Sequence, residues 1–497
     1  MAIMTTLTPL NAESLSAIDP TVARPEYDRS KVTVGIVHFG VGGFHRAHQA
    51  MYLDKLMGEG KALDWGICGV GVLPSDHRMK EVMAAQDCLY TLVVKHPDGV
   101  YEPRVIGSIV DYLFAPDDPE AVIEKMAAET TRVVSLTVTE GGYNFHAVTG
   151  QFDETNPDVV HDLQPGAVPR TVFALVTEAL RRRTSRGLAP FVILSCDNIP
   201  GNGDVARSTF ASFARLLDPE LGDWMEHEVT FPNGMVDRIT PQTTDEDRAE
   251  LARRFGVQDA WPVVCEPFTQ WVVEDWSPRA PYEDVGVQVV EDVVPYELMK
   301  LRLLNGSHQG LCYFGHLAGF QYAHEVCQDP LFAQFLLAYM DQEATPTLAP
   351  VPGIDLEEYK HNLIARFSNS EIRDTVARLC AESSDRIPKW LMPVVRENLA
   401  GGGKITLTAA IVASWARYAE GTDEKGDPIV IVDRLREKVM AAAAQQGTDP
   451  LAFIRNRELF GDVVDDERFT SAYLSTLESL HSVGARKTLE SLVAHTE

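Results

Sequence analysis

The sequence predicts a doubly wound, largely parallel α/β domain followed by an all-helical C-terminal domain. Three observations predict it. Short apolar runs alternate with helical patterns across residues 31–292. A glycine-rich turn closes the first of those runs. From residue 293 to 497 the strand signal fades and helical spacing takes over.

Residues 1–30 are polar and punctuated by proline, and read as an N-terminal arm over the body. Residues 32–39, Val-Thr-Val-Gly-Ile-Val-His-Phe, read as a strand, because an apolar, β-branched run suits burial on both faces. The next segment carries Ala47, Ala50, Leu53 and Met57 at helical spacing. Residues 65–72 form a second strand, with further candidates at 132–138, 191–196 and 262–265. Helices are expected over 119–128 and 168–183. In the second domain they are expected over 296–319, 370–381, 405–420, 430–445, 466–481 and 486–495. Residues 344–353 are a loop by their proline and glycine content.

Composition excludes several function classes. A net charge of -28 argues against nucleic acid or an anionic membrane as partner. No apolar run approaches the roughly 20 residues of a membrane span, and Met-Ala-Ile-Met-Thr-Thr lacks a signal peptide's basic start. Seven scattered cysteines form no Cys-x-x-Cys pair and several sit in apolar runs, which suits a reducing cytoplasm. His45 and His48 are three apart but find no third ligand, so phosphate contact or surface placement is expected and no metal site.

Gly40-Val-Gly42-Gly43-Phe-His follows the first strand and precedes a helix. That context brings backbone N–H groups to a pyrophosphate, although His45 stands where the usual fingerprint has its third glycine and a plain tight turn is the alternative. Asp76, past the second strand, suits an adenosine ribose and favours NAD, whereas nearby Arg78 suits a phosphate. Glu140 and Asn198 fall at the carboxyl ends of later strands, where ligands of such sheets bind; both are also ordinary turn residues.

The densest cluster of chemistry lies in Pro295–Cys312. At about 100° per helical residue, Glu297, Lys300, Asn305 and His308 project within an arc of roughly 140°. A lysine in an apolar setting near a helix start is disfavoured as a cation, which suits a general base for an alcohol proton. A carboxamide such as Asn305 or Asn198 can donate to an oxygen gaining negative charge. The alternative is a surface helix with a Glu–Lys pair at i, i+3. Tyr296-x-x-x-Lys300 mimics a short-chain dehydrogenase motif but lies too far from the glycines to serve as one.

These residues also carry a family resemblance. The spacing Lys300-x4-Asn305-x2-His308 resembles the catalytic motif of the long-chain, polyol-specific, metal-independent mannitol dehydrogenase family. Ile36–His48 is similar to its nucleotide-binding segment. Thr139–Tyr143, Ser195–Gly203, Met235–Pro241 and Arg366–Asn369 resemble further blocks in the same order. The resemblance implies a Rossmann-like domain that binds NAD through Phe39, Gly40, Val41, Gly42, Gly43, Phe44, Asp76 and Glu140. It implies Lys300 as base, Asn198 and Asn305 on the reacting oxygen, His308 orienting substrate and Glu297 relaying the proton. Asp237, Arg378 and Arg373 would meet sugar hydroxyls, with Arg386 a further candidate. The implied reaction converts D-mannitol to D-fructose with NAD. The alternatives are a D-arabinitol 4-dehydrogenase, a fructuronate reductase using the arginines for a carboxylate, or an idle NAD-binding scaffold. The implied partner is a small polyol or ketose, with no nucleic acid or membrane, and a monomer fits.

Overall fold

Five parallel strands form the central sheet: Val34–Phe39 (β1), Gly66–Gly71 (β2), Ile109–Phe114 (β3), Val133–Leu136 (β4) and Val192–Ser195 (β5). They belong to a computed structural model that describes residues 7–145 and 151–495. Their order is β3-β2-β1-β4-β5, so the winding reverses between β1 and β4, and past the carboxyl ends of strands at such a reversal is where ligands of these sheets bind. Period-two alternation fills both faces. Ile36, Ile67, Val133 and Leu194 join one core, while Val37, Val70, Val134 and Ile193 join the other. Burial on both faces is why these strands read as continuous apolar runs.

Among the described residues, two three-stranded sheets and one two-stranded pair complete the first unit, Met1–Val293. Val263–Cys265 belongs to one of the two sheets, parallel to Tyr90–Lys95, which pairs antiparallel with Tyr101–Ile106. The other joins Gly234–Asp237, Gln270–Glu274 and Gln288–Val290 and places Asp237 at a strand end. The N-terminal segment is anchored rather than merely draped. Thr8–Pro9 pairs with Val257–Gln258, and Leu10, Ile18 and Val22 are buried against Leu89, Val93 and Val105. The expected first helix is broken at His48, whose φ of -126° and ψ of -96° separate Gly43–Ala47 from Gln49–Gly58.

The second unit, Val294–Glu497, has no named strand among its described residues. Helix 296–319 is observed from Val294 to Leu317, with a π-turn over Lys300–Asn305. The helix expected over 370–381 shrinks to Val376–Cys380, because Asn369 and Thr375 cap turns with their side chains. That expected over 430–445 starts only at Arg436. The last two expected helices are one run, Glu467–Ala494, kinked at Gly484 with φ 84°. Among the described residues no helix is long and apolar enough to cross a membrane.

Candidate active site

The glycine turn follows directly from β1. Gly40 has φ 90°, and a Cβ there would collide with the Thr137 carbonyl. Gly42 is extended and opens the short helix that starts at Gly43. Phe39 and Val41 are buried, and Phe44 stacks on His48 at 4.8 Å. A Cβ on Gly69 or Gly71 of β2 would strike Val41 and Tyr112, or Tyr112 and Asp76, so these glycines serve packing.

His45 corrects an expectation. Neither it nor His48 lies on the surface: both are buried. The His45 ring stacks on His38 at 3.4 Å, and its nitrogens have no hydrogen-bond partner among the described residues. His38 Nδ1 lies 2.7 Å from Ser135 Oγ and its Nε2 2.9 Å from Thr137 Oγ1. Burial pushes the His38 pKa down to about 3 and that of His45 well below its usual value, so both rings are neutral packing elements.

Asp76 sits in the turn just past β2, where one carboxylate oxygen accepts from the Val72 and Leu73 amides at 2.9 Å each. Arg78 is engaged elsewhere, with its guanidinium 4.5 Å from the Trp261 ring centre. The turn past β4 carries backbone strain. Thr139 has φ 65° and ψ 171°, a region that costs a β-branched residue about 1–3 kcal/mol. Asp197 holds it there. Its buried carboxylate accepts from Thr139 N at 2.8 Å, Val138 N at 3.1 Å and the Tyr143 hydroxyl at 2.8 Å. Burial pushes the Asp197 pKa up despite those donors.

The same loop is tied on its other side. Asn202 donates to the carbonyls of Ser195, Asp197 and Gly234 and accepts from Gly234 N. Exposed Asn198 therefore sits on a loop fastened both to the turn bearing Glu140 and to the strand bearing Asp237. Sequence reasoning singled out Asn198 and passed over Asp197 and Asn202, whose bonds reach residues dozens of positions away. Asp197→Asn should lower the melting temperature by several degrees, since a lost acceptor leaves a buried N–H unpaired at about 1–3 kcal/mol. It should also reduce turnover more than the melting shift explains; thermal scans beside steady-state rates check this.

In the second unit the π-turn changes the geometry of the lysine helix. Gly306 N reaches back five residues to the Leu301 carbonyl. The extra residue of such a turn takes back about 100° of winding, which narrows the expected arc of roughly 140° to roughly 80°. Glu297, Lys300 and Asn305 are all buried, and Asn305 Nδ2 has no hydrogen-bond partner among the described residues. The half-buried His308 packs its ring 4.6 Å from Phe367. Burial, then the charges of Arg378, Arg386, Arg366 and Lys300, hold its pKa well below the usual histidine value.

The exposed Arg378 pairs with the buried Asp374. Arg386 donates to the Leu379 carbonyl and lies over Trp390. The charge of Arg373 acts on His324, and that of Arg366, unassigned from sequence despite its family block, acts on His308. Tyr296 donates to the Pro352 carbonyl at 2.8 Å, which leaves the short-chain mimic without a free phenol.

Relatives decide what this arrangement belongs to. The mannitol dehydrogenase Rossmann domain model matches residues 34–282, and the mannitol dehydrogenase C-terminal domain model matches residues 292–481. The chain belongs to the mannitol dehydrogenase family. Among mannitol dehydrogenases it is 46% identical to mannitol 2-dehydrogenase of Aspergillus fumigatus, over 97% of this chain and 98% of that one. Its fold is similar to Pseudomonas fluorescens mannitol 2-dehydrogenase, solved as a ternary complex with NAD and D-mannitol. The TM-score is 0.89 at 44% identity, over 98% of this chain and 99% of that one. A D-sorbitol dehydrogenase in substrate-free form gives the same TM-score of 0.89 at 36% identity, over 97% and 100% of the two chains. The Rossmann-like sheet followed by a helical domain is thus the fold of this family.

Proposed function

We propose that this chain is an NAD-dependent dehydrogenase that oxidises D-mannitol at C2 to D-fructose and runs the reaction in reverse. The observation that carries this reading is the lysine helix, which buries an amine and, five residues on, a carboxamide whose Nδ2 has no partner among the described residues. Such an unpaired donor costs about 1–3 kcal/mol until an oxygen accepts from it. The family relation supports NAD and mannitol over arabinitol or a uronate.

The residues fit the cofactor. A Cβ-free Gly40 at the reversal point of the sheet leaves room for a close backbone approach, and Asp76 stands past β2 for a ribose. NAD supplies the hydride acceptor. Lys300 Nζ takes the proton from the C2 hydroxyl, and Asn305 and Asn198 donate to that oxygen as its negative charge grows. Glu297, one turn earlier, passes the proton onward. His308, kept neutral, orients a hydroxyl, and Asp237, Arg378 and Arg373 hold others. Phe39, Val41, Gly42, Gly43, Phe44 and Glu140 shape the cofactor side.

Rates with D-mannitol, D-sorbitol, D-arabinitol and fructuronate, each with NAD or NADP pairs, test the reading. D-mannitol with NAD should give the highest kcat/KM and D-fructose as product; a higher value for any other substrate overturns it. Oxidation should rise with pH as Lys300 loses its proton, and reduction should fall. No limb near neutral pH should belong to His308. A cytoplasmic home fits seven cysteines that are all buried and unpaired. Net charge of -28 favours monomers through self-repulsion.

A further inference from the structure

We infer that Tyr339 and Gly306 are positioning residues that hold the π-turn of the lysine helix, and so set the register in which Lys300, Asn305 and His308 share a face. The inference rests on the proposed roles of those three side chains and explains what places them.

In an α-helix the Gly306 amide would serve the Arg302 carbonyl, four residues back. Here that amide is shared between the Leu301 and Leu303 carbonyls, so the Arg302 carbonyl has lost its α-helical donor. The Tyr339 hydroxyl replaces it at 2.7 Å. Tyr339 is fully buried at the end of helix Pro330–Tyr339, where a second π-turn, Met340–Ala344, begins. Gly306 makes the approach feasible: a Cβ there would collide with the Tyr339 hydroxyl and lie 3.0 and 3.3 Å from two ring carbons.

Arg302 adds a second anchor. Its guanidinium binds both oxygens of Glu397 and also donates to the Thr347 carbonyl just past the second π-turn. Hydroxyl, carbonyl and side-chain-free glycine form one lock, built from segments 33 residues apart in sequence (306 to 339). Without the hydroxyl, the Arg302 carbonyl loses its side-chain donor, and Gly306 N returning to it would supply the α-helical one. That change restores α-helical winding and turns Lys300 and Glu297 by about 100° relative to His308.

The test uses the full-length protein with NAD and D-mannitol. Tyr339→Phe keeps the ring and removes one oxygen. It should lower kcat at least ten-fold and displace the pH limb of oxidation, while KM for NAD stays within about two-fold and the melting temperature within a few degrees. Gly306→Ala should lose more. Adding Tyr339→Phe to it should recover part of that loss, because the added methyl then meets only ring carbons. Wild-type kcat and pH limb in Tyr339→Phe, or losses in both variants that merely follow the folded fraction, would overturn the inference. So would strict additivity of the two changes. Lys300→Ala, assayed in parallel, separates the two ideas: if it keeps full turnover the base assignment fails, and if it is inactive while Tyr339→Phe is unaffected only the lock fails.

Discussion

Lys300→Ala should cut turnover on D-mannitol by about 10²–10⁴-fold, the range that one general base supplies, while NAD binding stays within about two-fold. The effect is this large because the other groups named on the lysine helix are poor substitutes. His308 is held neutral with its pKa far below normal, so it is a poor proton acceptor. Asn305 is an amide. Glu297 could accept a proton but sits a turn earlier on the helix. Lys300→Arg should not rescue, because a guanidinium stays charged at every working pH. Rapid-mixing rates, with cofactor affinity measured separately, check both statements.

Gly40→Ala should abolish cofactor binding and destabilise the first unit by several kcal/mol. Two costs add there. A non-glycine residue at φ 90° is strained by about 1–3 kcal/mol. The new Cβ also collides with the Thr137 carbonyl, which is backbone just past the end of β4 rather than a flexible side chain. Moving that carbonyl would shift the strained turn at Thr139 that leads into Glu140. Gly60→Ala is the control, since Gly60 has φ 76° with nothing within 4 Å of its missing Cβ. It should show the strain alone, with NAD affinity retained. Equal losses in the two variants would mean that the glycine turn has no special relation to the cofactor.

The central sheet was legible because burial on both faces writes itself as a continuous β-branched run. β3 was not, since Asp111 and Tyr112 break its apolar pattern at the sheet edge. In the second unit Leu356–Phe367 went unread as a helix although its signal was present: Asp355 caps it and Glu357 and Glu358 fill the first turn. The lysine helix was found, but its π-turn was not. A periodicity count assumes uniform winding, and the turn depends on a hydroxyl that arrives from residue 339. The same limit hid Asp197, which reads as a turn residue until its bonds to the Thr139 turn are seen. Side chains that touch substrate have types and spacings that betray them. Those that hold them in place act across the chain, where spacing carries no signal.

The claim that a neutral amine at position 300 accepts the alcohol proton is tested most directly by chemical rescue. Small primary amines added to Lys300→Ala, with NAD and D-mannitol saturating, should restore turnover in proportion to the concentration of uncharged amine, and more basic amines should work better at equal free-base concentration. If no amine restores turnover in a variant that still binds NAD and D-mannitol, or if the variant needs none to turn over at the wild-type rate, Lys300 is not the base.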